Sequence, residues 1–227
     1  MPSVKPLSSL NHVSFAIARK EILSGLTFEI HRGEYIGIIG PNGGGKTTLL
    51  RLLLGLARPT HGTIVSQIEK AKIGYVPQRV SGDVLFPATV EEVVASGIVR
   101  QTKAHDRDRR IKEALKVTGI SNLRLQRIGT LSGGERQRVM IARVLAGDPD
   151  VVFLDEPTSA IDPASQEDFY VLLRDLHRKG LTIVIVSHDT DAIAHEVERV
   201  LCLNRHLVCH GDQADVMHKV HTEHYGH

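Results

Sequence analysis

Tryptophan is absent from this 227-residue chain, and aromatic residues make up only 4% of it. A core built around large rings is therefore excluded, and apolar packing has to come from Leu, Ile, Val and Ala. There are only two cysteines, Cys202 and Cys209. They offer no disulfide framework and fit a reducing compartment. Charge of one sign is also lacking: 28 Lys and Arg against 26 Asp and Glu leave a formal net charge of +2. That balance argues against bulk nucleic acid as the main partner, which would want a basic excess. No apolar run approaches the ~18 residues that span a bilayer. The longest, such as Val151–Leu154 and Ile183–Val186, are strand-sized. The start, Met1-Pro2-Ser3-Val4-Lys5, has no apolar signal-peptide core behind it. These absences predict a cytosolic chain. Low-complexity linkers and internal repeats are missing too, and 41% hydrophobic with 24% charged residues is ordinary for a globular protein.

What is present is an alternation of strand and helix patterns. Phe28-Glu29-Ile30, the turn His31–Glu34 and the apolar run Tyr35–Ile39 read as two strands around a turn. The second run is apolar throughout, as in a parallel sheet covered on both faces. It leads into a glycine loop, Gly40–Gly45, and then a leucine-rich helix that stops at Gly55. From about Phe86 to Ala146 the pattern is helical. Thr89 and Glu92 form a capping box, and a second helix opening at Asp106–Arg110 buries Ile111, Ala114 and Leu115 before Gly119 closes it. The alternating signs of Asp106–Arg110 mark a solvated helix face. After Asp150, strand Val151–Leu154, helix Ala164–Lys179, strand Leu181–Val186 and helix Thr190–Val197 follow. A hairpin of Arg199–Leu203 with His206–Val208 turns at Asn204-Arg205. Alternating βα units on both sides of a helical block predict a parallel α/β core with an inserted helical lobe.

Three segments carry chemistry. Gly40-Pro41-Asn42-Gly43-Gly44-Gly45-Lys46-Thr47-Thr48 satisfies every position of a P-loop between a strand and a helix. Glycines let backbone N–H groups turn inward around phosphate oxygens, and the helix end adds its positive dipole. Lys46 supplies charge to the β- and γ-phosphates, and the Thr47 hydroxyl is a ligand for Mg²⁺. Val151–Leu154 then ends in Asp155 and Glu156. An acid emitted from a buried parallel strand lies at the ligand edge of the sheet, which suits Asp155 to Mg²⁺ and Glu156 to polarising an attacking water. Finally, Leu131-Ser132-Gly133-Gly134-Glu135 reads as a serine-capped helix start whose first amides are free. That makes a second anion site about ninety residues from the first. It makes best sense facing the γ-phosphate of a nucleotide held by another subunit.

With these segments in hand, the sequence resembles the ATP-binding cassette (ABC) ATPases over nearly its whole length. Gly40–Thr47 is similar to the Walker A motif, Val151–Glu156 to Walker B and Leu131–Glu135 to the ABC signature. Gln78 matches the Q-loop glutamine, Ser159–Asp162 the D-loop and His188 the switch histidine. The resemblance implies an α/β fold: a P-loop NTPase (RecA-like) core with an antiparallel β-subdomain, in about 1–85 and 147–227, and an inserted α-helical signature subdomain in about 86–146. It implies a head-to-tail homodimer of cassettes with ATP and Mg²⁺ between one P-loop and the other subunit's signature. Gln78 would sense Mg²⁺ and the water, His188 would position Glu156, and Asp162 would communicate across the dimer. One departure stands out. Ile17 occupies the register where the family carries an aromatic to stack on adenine.

Ile73–Gln78 and Arg199–Gly211 also resemble the metal-ion (zinc, manganese, iron) importer ATPases. The implied system has a separate integral membrane permease, contacted near Gln78 and the segment 79–88, and an extracytoplasmic metal-binding protein. The chain would then sit peripherally at the cytoplasmic face of the membrane. Alternatives are a soluble non-transport ABC ATPase, or the ATPase of a transporter for another substrate. Six of the thirteen histidines lie between His206 and His227. With Cys209 and His210, the tail is either a solvated terminus or a metal-binding one.

Overall fold

The structure, a computed structural model, describes residues 5–78, 87–99, 102–159, 161–189, 192–193, 195–214 and 216. Two sheets organise it. Strands β1 (Ser8–Ile17), β2 (Lys20–Ile30) and β4 (His61–Ser66) form an antiparallel three-stranded sheet in the order β2-β1-β4. The larger sheet adds β3 (Tyr35–Ile39), β5 (Ile73–Val76), β6 (Val151–Asp155), β7 (Thr182–Ser187), β8 (Arg199–Asn204) and β9 (His206–Asp212), in the order β5-β6-β7-β3-β8-β9. Its ladders are parallel except for the β8–β9 edge hairpin.

The apolar strands are buried on both faces, as their sequences predict. Ile36, Ile38, Val151 and Phe153 pack towards helix α1 (Lys46–Leu53) and the three-stranded sheet. Tyr35, Ile39, Val152 and Leu154 face the opposite core, which α2 (Val90–Ala95), α3 (Ala104–Val117), α4 (Gly133–Ala146) and α5 (Pro163–Arg178) help to build. Each buried aliphatic side chain stabilises the sheet by roughly 1.5–3 kcal/mol relative to exposure.

Local signals mark several element ends. Thr89 caps α2 with Glu92 in a reciprocal capping box, and Ser132 does the same for α4 with Glu135. Helix α3 opens at Ala104, two residues before the charged run, and buries Ile111, Ala114 and Leu115. Its charges pair along the exposed face, Arg109 with Asp106 and Glu113, and Lys112 with Asp108. Of the helix expected over Thr190–Val197, Thr190, Asp191 and Ala194 lie outside the described residues, while Ala192 and Ile193 are helical. Segment 79–86 and the histidines from His218 onward also lie outside them.

One expectation is overturned. Cys202 and Cys209 face each other across the β8–β9 ladder, with Cα atoms 5.0 Å apart, and are joined as a disulfide. Counting cysteines could not show this, because the hairpin register alone makes them neighbours. Among the described residues, no helix is long and apolar enough to cross a membrane.

Candidate active site

Parallel strands deliver their C-terminal ends to one edge of the sheet, and the predicted residues gather there. Gly40 follows β3, Asp155 ends β6, His188 follows β7, and Pro77-Gln78 follow β5. The register places Asp155 opposite Val186 and Ile39 opposite Ser187, so these ends are nearly level. At this edge the glycine loop, the start of α1, Gln78 and Glu156 line a cavity of about 400 Å³. Its lining includes Asn42, Gly43, Gly45, Lys46, Thr47, Thr48, Gln78 and Glu156.

The glycine loop is shaped by close backbone approach. Gly40 has φ 151°, and a Cβ there would lie 2.0 Å from the Leu203 carbonyl oxygen. Gly45, at φ 97°, caps α1 through its backbone and leaves no room for a side chain beside Leu23. Pro41 O accepts from Gly44 N–H at 3.0 Å, closing the loop on itself.

Lys46 is only 6% exposed. Its Nζ donates to the carbonyls of Gly40 (2.8 Å) and Pro41 (3.1 Å), and stands 3.8 Å from Glu156 Oε1. Burial lowers its pKa, with Glu156 and Asp155 acting in the other direction. Asp155, 2% exposed, is pushed up chiefly by burial. The Thr47 hydroxyl reaches its Oδ1 at 3.5 Å. Glu156 adopts φ 49° and is held there by its N–H donating to Val186 O at 2.9 Å. Its Oε2 meets Nδ1 of His188 at 2.5 Å. A carboxylate only accepts, so in this pair Nδ1 carries the hydrogen and Nε2 is left for another partner.

This donor set fits a magnesium nucleotide. A buried ammonium satisfied mainly by two backbone carbonyls suits a polyphosphate, and the adjacent Thr47 and Asp155 oxygens suit a hard cation. The cradle is closed to Cβ atoms at Gly40 and Gly45 but lined by loop backbone, as phosphate binding requires.

The other expected residues lie elsewhere. Ile17 is 58% exposed at the tip of the β1–β2 hairpin, next to the cavity-lining Lys20, Glu21 and Ile22 but not itself in the lining. Leu131 is buried, and Ser132 caps α4 by accepting from Glu135 N–H, while the Glu135 carboxylate accepts from the Ser132 N–H and hydroxyl. Gly133 and Gly134 open that helix, whose N-terminus does not line this chain's own cavity. Asp162 caps α5 by accepting from Ser165 N–H at 3.0 Å. Ser165 in turn sits against Gly134, where a Cβ would lie 3.1 Å from its side chain, so the D-loop side and the signature helix touch within one chain.

Two contributors escaped the sequence reading. Tyr75, on the neighbouring strand, has its pKa raised by burial first and then by the nearby Asp155 carboxylate. Arg205 lines the cavity from the β8–β9 turn. A period-2 strand pattern marks Tyr75 as sharing a face with Phe153, but nothing local reveals either neighbour.

Comparison with known proteins agrees with this geometry. The family model described as ABC transporter matches residues 23–159. A probable metal transport system ATP-binding protein of Thermotoga maritima is 40% identical, over 89% of this chain and 83% of that one. A manganese transport system ATP-binding protein of Halalkalibacterium halodurans is 39% identical, over 94% and 89%. The high-affinity zinc uptake system ATP-binding protein of Bacillus subtilis is 37% identical, over 88% and 91%. Among solved structures, cbiO1 from Clostridium perfringens, part of the ABC transporter complex cbiONQ, superposes with TM-score 0.85 at 30% identity, covering 96% of each chain. An ATP-binding cassette in a dimeric post-hydrolysis state, bound to ADP and Pi, superposes with TM-score 0.77 at 28% identity, covering 91% of this chain and 98% of that one. With its glycine cradle, paired acids and capped second helix end in one fold, the chain belongs to the ABC transporter family of ATP-binding cassettes.

Proposed function

We propose that this cassette is the ATP-hydrolysing subunit of an importer for a zinc-, manganese- or iron-type metal ion. The observation that carries the reading is the buried Glu156 between Lys46 and His188 at the mouth of the glycine cradle. Lys46 exchanges its two carbonyl partners for phosphate oxygens and regains in charge pairing what burial costs it. Mg²⁺, when bound, would neutralise charge developing on the phosphates, and Thr47, Gln78 and Asp155 would hold it directly or through water. Glu156 accepts the proton of the attacking water, and His188 fixes its carboxylate through Nδ1 while Nε2 points to the γ-phosphate.

The α4 N-terminus, Leu131 to Glu135, belongs to the other half of the reaction. Because it does not line its own chain's cavity, it serves the nucleotide of a partner cassette, with its free amides on the γ-phosphate. Ser165, pressed against Gly134 and bonded through its N–H to Asp162, relays with Asp162 between the two sites of such a homodimer. Motion passes to a membrane permease near Gln78 and the segment that follows it in the sequence. The cassette works peripherally at the cytoplasmic face, with an extracytoplasmic metal-binding protein delivering the ion. The metal assignment draws on the relatives named for manganese and zinc transport.

Reconstitution with its permease in vesicles tests this. ATP-dependent accumulation of zinc or manganese is expected. Glu156→Gln is expected to bind ATP normally while turnover falls at least ~10²-fold, as for loss of a general base. Undiminished hydrolysis by that variant would remove Glu156 from this role, and ATPase activity with no metal uptake would remove the importer assignment.

A further inference from the structure

We propose that Arg205 is a nucleotide-binding residue that contacts the phosphate chain of ATP, an inference that rests on the ATP-binding reading above. Three observations on the β8–β9 turn converge on it. The first is conformation: Arg205 has φ 64°, in the left-handed region that glycine tolerates and a long side chain adopts at a cost. A turn of this kind has no need of arginine. An unfavourable backbone kept at the edge of a ligand cavity is the usual mark of a side chain retained for what it touches.

The second is anchorage. The Arg205 N–H donates to Gly44 O at 2.9 Å, and its carbonyl accepts from Ser24 N–H at 2.7 Å. One bond ties the residue to the crown of the glycine loop and the other to β2, so its Cα is fixed beside the phosphate cradle. The preceding Leu203 carbonyl packs against Gly40 and Gly44. The turn is thus part of the cradle's outer wall, not a remote connection.

The third is charge. Arg205 is among the residues that line the same cavity as Lys46, Thr47 and Thr48. Glu156, the buried carboxylate there, is already taken by Lys46 and His188, and among the described residues no carboxylate pairs with the Arg205 guanidinium. A planar fork of donors with no acid partner, on a residue whose backbone N–H bonds the loop, matches phosphate oxygens in shape and charge. Lys46 charges the site from the buried end of the loop, and Arg205 charges it from the exposed rim.

Arg205→Gly separates this role from a structural one, because glycine takes φ 64° without strain and preserves both backbone bonds. Titration of ATP and ADP into the intact chain is expected to show both bound about tenfold more weakly. The ratio of ATP to GTP affinity should stay unchanged, and the salt dependence of binding should be shallower. Arg205→Lys, which keeps charge but not the fork, should fall between. The thermal midpoint without nucleotide should not drop. Equal affinities in Arg205→Gly and the parent chain would overturn the proposal, as would a loss seen for ATP but not GTP. Failure of the parent chain itself to bind ATP would instead sink the reading on which the proposal stands.

Discussion

Asp155 closes a strand in which every residue is buried, and that burial raises its carboxyl above the ordinary 3.8. Between 3.8 and the raised value, the folded protein keeps a proton that the unfolded chain has released. The associated stability is fully present below 3.8 and is lost as pH climbs through the raised value. Asp155→Asn has no such loss. Without nucleotide it should melt closest to the parent below about pH 3.8 and above the parent at about pH 7.5. Magnesium ATP should stabilise it less. A melting difference that does not change with pH would refute this. Ile17 makes a second residue-scale case. Its exposed side chain stands beside the cavity-lining Lys20–Ile22, and among the described residues no aromatic ring lines that cavity. Ile17→Tyr should tighten ATP binding about tenfold, since stacking on a base contributes about 1–3 kcal/mol. Unchanged affinity in a titration would place adenine elsewhere.

Helices and strands were legible in the sequence to the extent that their signals are local. The capping box at Thr89 and the serine cap at Ser132 rest on residues three apart and form as read, while the box that Glu135 completes at Ser132 goes beyond the sequence reading. Strand Tyr35–Ile39 was visible in its unbroken apolar run. The order β5-β6-β7-β3-β8-β9 was not, because it depends on which strands pair across more than a hundred residues. From that order come Tyr75 on the strand beside Asp155 and Arg205 beside Gly44, neither of which has a local sequence sign, whereas Cys202 and Cys209 meet through the register of the local β8–β9 hairpin. Close contact between elements is equally non-local. Gly97 follows α2 where it meets α4, and a Cβ there would lie 1.8 Å from Arg143 O. Gly97→Ala must push the two helices apart. A loss of about 2–3 kcal/mol is expected, read as a lower urea midpoint, and an unchanged midpoint would show that the packing yields freely.

At the scale of the whole molecule, the P-loop cavity and the helix end proposed to serve a partner's nucleotide do not meet within one chain. The P-loop cavity opens at the sheet edge, while the Ser132-capped end of α4 borders Ile161 and Ser165 instead. A nucleotide held at both requires two chains related head to tail, and it acts as the adhesive between them. Association should therefore depend on nucleotide and persist when hydrolysis is blocked. Sedimentation velocity on Glu156→Gln, with and without magnesium ATP, reads this out. We expect a monomer without nucleotide and a dimer with it, reverting to monomer when Ser132→Arg is added. A Glu156→Gln chain that binds ATP yet sediments as a monomer at saturating nucleotide would contradict the shared-nucleotide mechanism.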